Sequence, residues 1–168
     1  MRARFLSFAL ALATLFFGLP PCPAIAQHPE RYGGMKLLDG YSIKRETALD
    51  VDAWTIEKDG GPSIHFEAGT SEGSLVNTKD RSQYAWTRTQ VINNYKVVFA
   101  MVKPGLKTVW EQENGRGLPP GNILLVTFFL DRSHPDHTAN FTAKVGDEEE
   151  LADVLLMVMT FDPSKGIF

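Results

Sequence analysis

Residues 123–130 read Ile-Leu-Leu-Val-Thr-Phe-Phe-Leu, seven apolar residues in eight, set between Pro119-Pro120-Gly121-Asn122 and a polar stretch that opens at Asp131. A run of this length, bounded by turn formers and rich in branched and aromatic side chains, specifies a buried strand. It does not alternate, so both of its faces need cover. The chain that follows can supply part of it: a polar loop over 131–138, an antiparallel partner over 139–145, and a helix.

That helix has the clearest local signature in the sequence. Asp147 is an N-cap with Glu150 three residues on, and Glu148, Glu149 and Glu150 fill the first turn, where the helix dipole favours negative charge. Leu151, Val154, Leu155, Val158 and Met159 recur at i, i+3, i+4, i+7 and i+8, one apolar stripe that Leu156 and Met157 broaden. It ends near Thr160, ahead of Asp162-Pro163. Burying five such side chains contributes on the order of 7–15 kcal/mol before conformational entropy opposes it, so the helix belongs to the core.

Upstream, period-two patterns dominate. Residues 52–58 and 62–68 flank Asp59-Gly60-Gly61, with Trp54 and Ile56 on one face of the first arm and Ile64 and Phe66 on one face of the second, which makes a hairpin. Residues 84–92 and 95–102 form another about Asn93-Asn94, and short strands are expected over 41–45, after the Asp39-Gly40 turn, and over 107–112, the last followed by a Gly- and Pro-rich loop over 113–122. Residues 69–83 lack any periodicity. A loop of that length in a compact domain is commonly functional, and it is read as the variable or binding loop. The fold expected is α+β: a curved, mostly antiparallel sheet of seven to eight strands with one C-terminal amphipathic helix packed on it, a sandwich or barrel being the alternative.

Domain organisation follows from the N-terminus. Arg2 and Arg4 precede an apolar run over 5–19, and Ala24-Ile25-Ala26 supplies small residues at a cleavage point, the layout of a secretory signal peptide over 1–26. The run is shorter than a membrane span and is followed by Pro20, Pro21 and Pro23. Cys22 after Leu19-Pro20-Pro21 is loosely similar to a lipoprotein cleavage box, although two prolines stand where small residues belong. What remains is a single exported domain over 27–168, with a flexible leader over 27–35. Losing two arginines and no acid takes the formal net charge from −3 to −5. An acidic chain with dispersed lysines is a poor nucleic-acid binder, and no later apolar run reaches membrane length. Without a cysteine beyond Cys22 the exported domain has no disulfide to lean on, so burial and hydrogen bonding must stabilise it. A periplasmic or secreted bacterial protein fits these features.

Three groups of residues are candidates for chemistry. Asp131-Arg132-Ser133-His134-Pro135-Asp136-His137 holds two histidines and two aspartates at a strand end; His134, Asp136 and His137 could ligate a divalent metal with help from His65 or Glu67, or the segment is simply a polar turn. Tyr84, Trp86, Arg88 and Gln90 share one strand face at period two, a possible platform for a sugar, peptide or anion, against the plainer reading that Tyr84 and Trp86 face the core. His65 and Glu67 point away from Ile64 and Phe66 as an outward pair. There is no nucleophile elbow, phosphate loop or dinucleotide fingerprint; Gly115-Arg116-Gly117 lacks the third glycine and the helix. The function expected is a non-enzymatic binding or interaction protein of the cell envelope with no cofactor, its partner an envelope protein or small ligand. A small metal-dependent hydrolase using the 131–137 loop and a homodimeric envelope structural protein are the alternatives.

Overall fold

The computed structural model describes residues 31–32, 34–46, 52–70, 73–105 and 122–165. The signal segment with Cys22, the strand expected over 107–112 with Trp110, and most of the loop over 113–122 lie outside these residues.

Seven strands form one antiparallel sheet. In chain order they are β3 (Tyr41–Glu46), β4 (Asp52–Lys58), β5 (Ser63–Thr70), β6 (Tyr84–Ile92), β7 (Tyr95–Val102), β8 (Asn122–Phe129) and β9 (Thr138–Val145), preceded by a ribbon of β1 (Arg31–Tyr32) and β2 (Met35–Lys36). Their order across the curved sheet is β3-β4-β5-β9-β8-β7-β6, and α1 (Glu148–Val158) lies on one face. The fold is therefore the α+β arrangement expected. Each hairpin is closed by residues suited to it: Gly60 takes φ +69° between β4 and β5, and Asn93 (φ 49°) and Asn94 (φ 69°) supply the two left-handed positions of a two-residue turn between β6 and β7. The step that joins the two meanders is non-local. β5 pairs with β9, with Phe66 opposite Phe141 and His65 opposite Thr142.

Register across the sheet defines its two faces. One row on the helix side runs Arg45, Trp54, Phe66, Phe141, Val126, Phe99, Arg88, and the next runs Ile43, Ile56, Ile64, Ala143, Leu124, Met101, Trp86. The core sits above their middle. Phe66 stacks on Phe141 at 4.4 Å between ring centroids, and Phe161, just past the helix, meets Phe66, Phe128 and Phe141 edge-on at 5.0–5.3 Å. Val154, Met157 and Val158 close the layer from α1. The helix is rotated slightly from the expected stripe: Met157 is fully buried, whereas Met159 and Leu156 are exposed. Asp147 accepts from the Glu150 amide as the cap, and the Glu150 carboxylate reaches back to the Gly146 amide.

Next to and within the stretch read as leader, Arg31–Tyr32 and Met35–Lys36 pair as the β1–β2 ribbon, with Met35 wholly buried and the Lys36 amide donating to Thr160 Oγ1 at 2.9 Å. Gly34 makes this approach possible. It adopts φ +75°, and a Cβ there would collide with the Asp162 carbonyl oxygen.

The second face carries its own smaller cluster of Val98, Ala100, Val102, Ile123, Leu125, Tyr84 and Val76. β8 is thus buried on both faces from Ile123 to Phe128, as its unbroken apolar run requires. Among the described residues no helix is long and apolar enough to cross a membrane.

Candidate functional site

The four residues read as one stripe on β6 do not share a face. The pairing with β7 shifts between Tyr84 and Trp86: Tyr84 opposes Val102, and Trp86 opposes Met101. This bulge inserts one residue and reverses the parity of everything before it. Tyr84 therefore turns to the second face and is buried there, its hydroxyl accepting from the Asn77 amide (2.8 Å) and from Gln83 Nε2 (2.8 Å). Trp86, Arg88 and Gln90 lie on the helix side, on the strand that is outermost among the described residues. Trp86 is 39% exposed, Arg88 is exposed and Gln90 is half-buried.

Of the expected binding loop over 69–83, Gly69 and Thr70 belong to β5, and 73–83 has a structural role. The Gly73 carbonyl accepts from Thr138 Oγ1 (2.9 Å) and Asn140 Nδ2 (3.0 Å), and Asn140 Oδ1 accepts from Thr127 Oγ1 (2.8 Å). All three side chains are buried, and their hydrogen bonds offset the cost of taking them out of water. They pin the loop to the sheet so that Val76 fills the second cluster. Asn140 Nδ2 also reaches Thr138 Oγ1 (3.1 Å) on its own strand, but the partners that tie it to the loop and to β8, Gly73 and Thr127, are distant in sequence.

The 131–137 segment folds as a polar turn. Asp131 accepts from the Ser133 amide (2.7 Å) and bonds His134 Nδ1 (2.8 Å), and the His137 amide closes onto the His134 carbonyl (3.0 Å). The His134 bond, with the Ser133 donors, holds the Asp131 carboxyl down to about 2. Asp136 is directed at Gly73, where a Cβ would meet its Oδ1 at 3.2 Å. His134 is engaged with Asp131 and Asp136 faces Gly73, and among the described residues no group of three His, Cys, Asp or Glu side chains is arranged to hold a metal ion. The turn also walls a shallow crevice of about 380 Å³, together with Val91, Lys96 and Phe129; Lys96 Nζ lies 4.9 Å from the Phe129 ring centre.

A further constellation includes one residue that sequence reasoning passed over. His65 and Glu67 point outward as expected and are joined, Nε2 to Oε1, at 2.7 Å. Glu46, from the end of β3, adds its Oε1 at 3.3 Å from Nδ1 and also accepts from the Thr55 hydroxyl. A neutral imidazole has a single N–H, whereas a carboxylate faces each ring nitrogen here, so the arrangement calls for the doubly protonated ring. Burial pushes His65 toward neutrality, but the Glu67 hydrogen bond and charge, with those of Glu46, outweigh it and raise its pKa above the ordinary value. The cluster clamps strands together. Glu46 escaped notice because β3 and β5 become neighbours of β4 only in the folded sheet.

No protein-family model, curated protein or solved structure matches this chain.

Proposed function

We propose that the protein is a non-enzymatic, exported binding domain of the cell envelope, and that its recognition surface is the outer edge of β6. One observation carries this reading. Trp86, a residue type that usually contributes to a core, is left 39% exposed beside the exposed Arg88 on the outermost strand. Tryptophan and arginine are the side chains that most often dominate the energy of protein contacts. Among the described residues β6 has a neighbour on one side only, so its free edge offers a row of backbone donors and acceptors to an incoming extended segment. The surface combines main-chain pairing for affinity with an indole and a guanidinium for selectivity. Export rests on the Arg2/Arg4, apolar and Ala24-Ile25-Ala26 pattern of residues 1–26.

The test is site-specific photo-crosslinking in an envelope-bearing bacterial host, with the reactive residue at position 88 and, for comparison, at position 44 on the opposite edge. Adducts with polypeptide at 88, lost in Trp86→Ala and absent at 44, are expected. No adduct at 88, or equal yields at the two edges, would remove the assignment.

A further inference from the structure

Resting on that strand-addition reading, we infer that the occupant of the β6 edge is a second copy of this chain, paired antiparallel across a two-fold axis at Thr89. Among the described residues the two edges of the sheet, β3 and β6, differ in a way that selects β6. β3 carries Lys44, Arg45 and Glu46 in succession, the kind of charged edge that resists further pairing. β6 has one charge, Arg88, in nine residues, with no lysine and no proline, and it exposes Trp86 and, at 72%, Val91.

The regular part of β6 is also symmetric. The bulge at Tyr84/Trp86 ends it on one side and the positive-φ Asn93-Asn94 turn ends it on the other. The stretch 86–92 remains, and Thr89 is its midpoint. Antiparallel pairing with Thr89 opposite itself sets Arg88 against Gln90 of the second copy, Thr87 against Val91, and Trp86 against Ile92. Opposed residues in an antiparallel pair share a face, so the helix-side set (Trp86, Arg88, Gln90, Ile92) meets itself, as does the set Thr87, Thr89, Val91. The sole charge never opposes its own copy, and a guanidinium meets an amide oxygen. A strand of this length buries little area, so the dimer belongs to the small, reversible class and its population follows concentration.

The experiment uses the full chain, by sedimentation over a wide concentration range and by disulfide trapping. Opposed Cβ atoms in such a pair lie about 4.5–5.5 Å apart, within small adjustment of disulfide geometry. Thr89→Cys, on the axis, should therefore cross-link at least several-fold faster than Gln90→Cys, with the wild-type chain as the control for Cys22. Thr89→Lys sets like charges against each other at an exposed position and should weaken association at least tenfold while leaving circular dichroism unchanged. A dimer indifferent to Thr89→Lys, or equal trapping at 89 and 90, would overturn the register and the surface. A chain that is monomeric throughout would overturn the inference alone, because adducts to other polypeptides at position 88 judge the strand-addition reading separately.

Discussion

Raising the pH through the titration of His65 should loosen the corner where β3, β4 and β5 meet. The ring binds its proton more tightly folded than unfolded, since Glu67 and Glu46 together outweigh the effect of burial. A group of this kind contributes its full stabilisation below its unfolded pKa, about 6.5, and loses it as pH rises through the higher folded value. The size follows from what deprotonation removes. The neutral ring keeps one N–H, which stays with Glu67 at 2.7 Å; the longer contact to Glu46, at 3.3 Å, is lost together with both charge attractions. Partly exposed ion pairs contribute about 0.2–1 kcal/mol each, so the loss is about 1 kcal/mol, or about 3 °C in Tm for a chain of this size. Lys44 and Glu57, on the same face, form their own ion pair. Urea unfolding at about pH 5.5 and about pH 8.5 should show wild-type protein less stable at the higher one, and His65→Gln should remove most of the difference. Imidazole NMR should place the His65 titration above 6.5, and Glu67→Gln should lower it. A ring that titrates at or below 6.5, or an unchanged pH dependence in His65→Gln, would refute the reasoning.

Asn140→Ala should cost about 2–3 kcal/mol, because it strips the Gly73 carbonyl and the Thr127 hydroxyl of a buried partner; amide exchange should rise first over residues 73–77. Phe161→Ala removes the ring that meets three phenylalanines and should cost about 3–5 kcal/mol in thermal or urea unfolding. Asp147→Ala removes the helix cap and should cost about 1 kcal/mol, with Asp147→Asn recovering most of it in the same unfolding assay.

What could be read from the sequence was what depends on near neighbours. The 52–58 strand and its turn, the Asn93-Asn94 hairpin and the Asp147 cap each follow from residues a few positions apart, and the burial of 123–130 on both faces follows from its composition. Parity on β6 was not legible, because a single unpaired residue inverts the period-two pattern and nothing in Tyr84-Ala85-Trp86 announces it. That one residue separates Tyr84 from Trp86 and changes the meaning of the predicted stripe. Phe161 lies beyond the helix and outside its periodicity, so its place at the centre of the aromatic cluster emerges only when β5, β8 and β9 are side by side. The same holds for Glu46 with His65 and for Asn140 with Gly73. In each, the partners sit on different elements, and only the sheet order brings them within reach.

That sheet order also dictates when the molecule can become itself. β5 has no second neighbour until β9 pairs with it, Phe66 opposite Phe141. β3, β4 and β5 emerge early but keep an unpaired flank and an uncovered aromatic face until residues 138–161 are present. Contacts so distant along the chain close slowly. A chain delivered from its N-terminus therefore holds its first meander open until β9 has arrived, and a chain halted before residue 138 would present β5 and β8 as two bare edges in place of one sheet interior.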